Sequence, residues 1–169
     1  MYYPFFIRLF YAITLAASLA GCTEKQIFCQ ASSSMEPTIK RGEVITVDLD
    51  TYSRSEPDRW DVVVFESPDG SGGHWVSRVV GLPEETVDIR SGKVVVDGRE
   101  EPLPTRLTIR GYILPRGDLV LDTPDPVAFP FKVPSGSFFV LGDNVSNALD
   151  SRYLDCLDRS KIIGKVPSK

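Results

Sequence analysis

A mainly β domain is the fold class that residues 23–169 predict. Three observations predict it: short runs rich in β-branched and aromatic residues, turn dipeptides between those runs, and 13 prolines and 13 glycines spread through the chain. β-Branched side chains suit a pleated, half-buried surface, while Gly, Asn, Asp and Pro supply the tight turns that short strands need.

The strand-like runs come in order. EVITVDL (43–49), DVVVFES (61–67) and WVSRVVGL (75–82) precede TVDIR (86–90) and KVVVDG (93–98), and SFFVLGD (137–143) comes after Pro134-Ser135-Gly136. TVDIR and KVVVDG flank Ser91-Gly92, a pairing that predicts a hairpin. Prolines at 102, 104, 115, 124, 126, 130 and 134 predict that residues 101–135 form a loop-rich insertion with one or two short strands. Helical turns are expected only near Ser34 to Ile39 and around Asp155 to Ile162.

A chain of 169 residues, 42% hydrophobic and 25% charged, has material for one domain with a real core. A net charge of −4 and a pI near 5.0 argue against a nucleic-acid partner, and no basic run is present. One histidine and scattered cysteines give no zinc-type ligand spacing, and no cofactor motif is found. LGDN (141–144) could suggest an Asp-Asn ion site, although a bracing loop explains it better.

The first 22 residues read separately. Arg8 precedes an apolar run from Leu9 to Ala20, shorter than the roughly 20 residues a spanning helix needs and of the length found in secretory signals. The ending LAGC resembles the lipobox of bacterial lipoproteins, which implies lipidation of Cys22 and a mature chain on the extracytoplasmic side of a membrane. The alternative is an uncleaved anchor lengthened by Tyr2 to Phe6, with Arg8 reaching the interface. Thr23 lacks the Asp that commonly retains lipoproteins in the inner membrane, a hint of outer-membrane sorting in a host with two membranes. Export leaves Cys29 and Cys156 as a pair that could bridge or stay as separate thiols.

ASSSMEPTIKRGE (31–43) raises the question of chemistry. A serine hydroxyl is a poor nucleophile without a base to take its proton and donors for the developing oxyanion, and a serine triplet can equally be a polar loop. Its context favours chemistry. SSSMEPTIKRGEVITV, RWDVVVFESP, SRVVGLPEETVDIRSGKVVVDG and VPSGSFFVLGDNVSNALDSRYLD resemble, in order and content, the successive boxes of type I signal peptidases. The resemblance spans most of residues 29–166 and implies a partly open β-barrel that cleaves signal peptides from exported preproteins. The lipoprotein-like start departs from it, since family members are usually held by transmembrane helices.

Carried over by position, the resemblance makes Ser34 the nucleophile and Ser32 the hydroxyl that joins the Ser34 N–H in the oxyanion hole. Met35 is its apolar neighbour, and Arg78, Gly81, Pro83, Gly142, Asp143, Asn144, Asp150, Ser151 and Arg152 fall on matching positions. Asp143, Asp150 and Arg152 are expected to brace the site by hydrogen bonds and ion pairs, supporting the groups that touch substrate.

The base is where the sequence departs. Family members place a lysine or histidine at the position of Ser77, and a serine that orients the lysine at that of Ala148. A buried lysine is neutral enough to accept a proton; a serine is not basic. His74 lies three residues from Ser77, an odd offset that turns it to the opposite face and moves it about 10 Å along a strand unless a bulge near Gly72-Gly73 intervenes. Lys40 and Lys93 read as solvated charges. Phe129-Pro130-Phe131, Trp60 and Trp75 could rest on lipid or pack in the core.

Three functions remain open: a serine endopeptidase with an unrecognised base, a base-less domain that binds extended peptides as a regulator or assembly factor, and an envelope scaffold.

Overall fold

The computed structural model describes residues 24–68, 70–104, 111–112 and 125–168. The leader with Cys22, and much of the proline-rich stretch, lie outside the described residues. No helix among the described residues is long and apolar enough to cross a membrane.

The strands, in chain order, are β1 (Lys25–Cys29), β2 (Val44–Asp48), β3 (Val62–Glu66), β4 (His74–Gly81), β5 (Thr86–Arg90), β6 (Lys93–Val96), β7 (Arg99–Glu101), β8 (Phe131–Lys132), β9 (Ser137–Leu141), β10 (Leu157–Asp158) and β11 (Ile162–Val166). A seven-stranded sheet runs β1-β2-β11-β3-β4-β9-β10, and a four-stranded sheet runs β7-β6-β5-β8. All ladders are antiparallel. In the larger sheet β1 and β10 are the edges among the described residues, and this curled, half-barrel sheet is partly open.

Alternation decides which strands are covered on one face and which on two. In β2, Ile45 and Val47 are buried while Val44 and Thr46 are exposed, the period-2 pattern of a strand with one dry face. Central β3 has four buried residues in succession because apolar clusters cover both its faces. Val63 and Phe65 join Val79, Phe138 and Val140 on one side; Val62 and Val64 join Met35, Ile45 and Val76 on the other. A third cluster, including Val80, Val87, Ile89, Val94 and Phe139, welds the small sheet to the large one. Gly81 makes that junction possible, since a Cβ there would lie 2.4 Å from Val87 Cγ2 and 2.9 Å from Phe139 Cβ.

The TVDIR/KVVVDG hairpin forms as β5 and β6, with Arg90 opposite Lys93. The short helical turns expected near Ser34 to Ile39 and around Asp155 to Ile162 both form, the second as a 3-10 turn at Arg159–Lys161. Residues 34–39 make a turn closed by the Ile39 N–H on the Met35 carbonyl and do not extend into a helix. A further short helix, which the sequence does not predict, is α1 (Ser151–Leu154), capped by the Asp150 side chain accepting from the Arg152 N–H. The chain then returns to strand: Ile162–Val166 is β11, inserted between β2 and β3. Phe129 and Phe131 stack against Phe139 and, with Trp60, pack on the core, while Trp75 packs against Phe65. Trp60, Trp75, Phe129 and Phe131 are each partly buried against the core clusters, and Pro130 between the last two is exposed.

Candidate active site

The serine segment is fixed from below and from one side. Met35, fully buried, locks the residue after Ser34 into the cluster under β2 and β3; burying such a side chain contributes roughly 1.5–3 kcal/mol. From the side, the loop after β9 clamps the backbone: the Asn144 N–H donates to the Ser34 carbonyl at 2.9 Å, and Asn144 Nδ2 donates to the Ser33 carbonyl at 3.0 Å. Asn147 Nδ2 donates to Ser33 Oγ.

Held this way, Ser34 Oγ lies 2.9 Å from Ser32 Oγ, and the Ser34 N–H donates to the Ser32 hydroxyl at 3.4 Å. A residue that sequence reasoning missed completes the group. Gln30 is 5% exposed, and its Nε2 donates to Ser32 Oγ at 3.3 Å and to Ser34 Oγ at 3.4 Å. These serines sit in a cleft of about 490 Å³ whose apolar wall includes Phe28, Ile45, Val64 and Val76.

Ser77 and Ala148 line the same cleft as Ser34. So does His74, although the β3–β4 ladder is unbroken from Val62↔Arg78 to Glu66↔His74 and contains no bulge. The cleft is bordered by four consecutive residues of β4, His74 to Ser77. The His74 ring packs edge-on against Phe28 with centroids 5.1 Å apart and makes no hydrogen bond to Ser34. Lys93 pairs with Glu100 at 2.6 Å on the smaller sheet, and exposed Lys40 is not part of the cleft. Among the described residues the partners of Ser34 Oγ are Ser32 and Gln30.

Two buried ion pairs stand behind the clamp. Arg78 Nε and Nη2 donate to the two Asp143 oxygens at 2.8 and 2.6 Å, Arg78 Nη1 donates to the Trp60 carbonyl, and the Thr38 hydroxyl also donates to Asp143. Asp143 is thereby engaged by protein donors. Asp150 accepts from Arg152 Nε and Nη2, each at 2.8 Å, and from the Gly142 N–H at 2.9 Å. Burial opposes charge on Arg152, but the Asp150 hydrogen bonds and charge outweigh it and hold the proton more tightly than usual. The two side chains are 1% and 0% exposed, and such a pair rigidifies only because its remaining donors and acceptors are met. Arg152 Nη1, for one, donates to the Val145 carbonyl.

Cys29 and Cys156 are both free in this structure. Cys29 is exposed on edge strand β1, whereas Cys156 packs against the core, where burial and then the Asp155 charge push its thiol up to about 12.

The chain belongs to the signal peptidase family, peptidase S26, whose family model matches residues 5–168. It is 32% identical over 142 residues to a signal peptidase I of Leptolyngbya laminosa, covering 80% of this chain and 63% of that protein. It is 30% identical over 143 residues to a probable signal peptidase I-2 of Synechocystis, covering 80% and 58% respectively. The chain thus spans about three fifths of the length of these relatives. A crystal structure of a signal peptidase I from Enterococcus faecalis aligns with a TM-score of 0.48 at 25% identity, over 67% of this chain and 98% of that one.

Proposed function

We propose that this chain is a signal-peptidase-type serine endopeptidase acting outside the cytoplasm on signal peptides or on a dedicated exported substrate. The observation that carries the reading is the Ser32–Ser34 contact of 2.9 Å in the cleft, with the Ser34 N–H directed to the same hydroxyl. In this reading Ser34 Oγ attacks the scissile carbonyl and the Ser32 hydroxyl and Ser34 N–H hold the oxyanion. Collapse of the intermediate releases the amine-side peptide, and water hydrolyses the acyl-enzyme. The family resemblance implies small side chains on the acyl side of the cleaved bond.

The proton of Ser34 has no lysine or histidine acceptor in hydrogen-bond contact among the described residues. Ser77 fills the position of the family base and Ala148 that of its orienting serine. Turnover is accordingly expected to be slow and restricted to few substrates. Cys22, in LAGC, would tie the domain to the membrane as a lipidated N-terminus, and residues 101–135 would be a loop-rich insertion.

The absence of a basic partner on Ser34 also supports a second reading, a base-less domain that binds extended peptides as a regulator or assembly factor. Cleavage of a fluorogenic signal-peptide substrate by the full chain in lipid or detergent, beside Ser34→Ala, separates the two. Turnover lost in Ser34→Ala supports the peptidase. Equal signals from both proteins, with the peptide still bound, support the binding domain.

A further inference from the structure

Gln30 is a carboxamide in an apolar wall. Its backbone is pinned where β1 gives way to the serine loop: the Gln30 N–H donates to the Glu43 carbonyl at 2.9 Å, and the Gln30 carbonyl accepts from the Gly42 N–H at 2.7 Å. The side chain therefore starts from a fixed point, and both protein hydrogen bonds of its Nε2 go to the hydroxyls of Ser32 and Ser34. Burying a carboxamide at 5% exposure beside Phe28, Ile45, Val64 and Val76 costs free energy unless its polar atoms are engaged. An aliphatic side chain would fill the space without that cost, so the hydrogen bonds to the serines are what the amide adds.

We propose that Gln30 is a catalytic residue of this chain, a third donor, beside the Ser32 hydroxyl and the Ser34 N–H, for the oxyanion that forms on the substrate carbonyl as Ser34 Oγ attacks it. The inference rests on Ser34 acting as the nucleophile. The two Nε2 contacts, 3.3 and 3.4 Å, are at the long end for N–H···O bonds in the resting site. Each can shorten once an oxygen in this region carries charge, and a bond that strengthens only then lowers the barrier without tightening substrate binding. The amide donates and takes no proton, so it stabilises the oxyanion and leaves the transfer of the Ser34 proton to another acceptor. Gln30 acts without second-site help, since the backbone bonds to Glu43 and Gly42 already set its position.

Two probes test this on the full chain: a peptide boronic acid, which adds to Ser34 as a tetrahedral anion, and the same peptide ending in a carboxamide, which cannot. Gln30→Met keeps the shape and removes the donor. It is expected to weaken boronate binding about a hundredfold, the low side of what loss of one oxyanion donor costs, while carboxamide binding and Tm stay near wild type. Where turnover is measurable, kcat falls by a similar factor and KM does not. Equal loss for both probes makes Gln30 a mere wall residue and overturns the proposal, as does unchanged boronate affinity. Should Gln30→Met not fold, Gln30→Asn, which withdraws the amide by one methylene, gives the same comparison. Boronate affinity that depends on both Ser34 and Gln30 in a protein without turnover upholds the donor role and sinks the peptidase reading. Boronate affinity no better than in Ser34→Ala sinks both.

Discussion

The backbone N–H of Asn144 reaches the carbonyl of Ser34 at 2.9 Å, across 110 positions of sequence, and so couples the loop after β9 to the serine cluster. That approach depends on Gly142. A Cβ there would meet Ala148 Cβ at 2.3 Å and the Ser34 carbonyl oxygen at 2.8 Å. Gly142→Ala is expected to cost about 1–3 kcal/mol in urea denaturation and to slow modification of Ser34 by a fluorophosphonate. Adding Ala148→Gly relieves only the first clash, so Ser34 stays slow. A double variant that reacts like wild type would show that the serine does not depend on this approach.

Arg78 and Asp143 are 65 residues apart in sequence, and their side chains are 4% and 0% exposed. Asp143→Ala leaves a buried guanidinium without its partner and is expected to cost about 3–5 kcal/mol by chemical denaturation. Arg78→Met with Asp143→Leu should cost less than the two single losses together, because neither charge is then stranded. Additive losses would mean that the pair does not act as a unit.

Ser77 is 4% exposed in the cleft that holds Ser34. A lysine introduced there is desolvated, which lowers its pKa from about 10.4. Because a base must be neutral to accept a proton, Ser77→Lys with Ala148→Ser is expected to raise peptide cleavage along a limb that climbs with pH through that lowered pKa. The gain should vanish with Ser34→Ala. A folded double variant with wild-type rates at every pH would count against Ser77 as the vacated base position.

The two described cysteines should separate by reactivity. Cys156 keeps its proton until about pH 12, mainly through burial, while Cys29 is exposed. Maleimide at pH 8, mapped by peptide mass, is expected to mark Cys29 well before Cys156. The raised folded-state pKa gives the stability sign: the contribution of the protonated Cys156 is whole below its ordinary value of 9.0 and is lost as pH rises toward about 12. Cys156→Ala should flatten that alkaline loss in a pH series of melting curves. A series that superimposes on wild type would assign the loss to other groups.

What the sequence by itself determined was local. Period-2 runs and turn dipeptides marked β2 to β6 and β9, because alternation and turn chemistry act over a few neighbouring residues. Ordered motifs marked the signal peptidase family and singled out Ser32 and Ser34. Tertiary structure decided whatever depends on partners far along the chain. Lys25–Cys29 is a strand because β2 pairs with it, and Ile162–Val166 is one because it fills the space between β2 and β3. His74 and Ser77 both border the cleft that holds Ser34, which depends on how β4 lies against the serine segment and which no periodicity encodes. Gln30 had no local signal at all; a lone glutamine is ordinary until the turn closed by Gly42 and Glu43 buries it against two serines. Local interactions repeat along a sequence and can be read there, whereas the burial and hydrogen bonding that give Gln30 its place arise only when the separate segments meet.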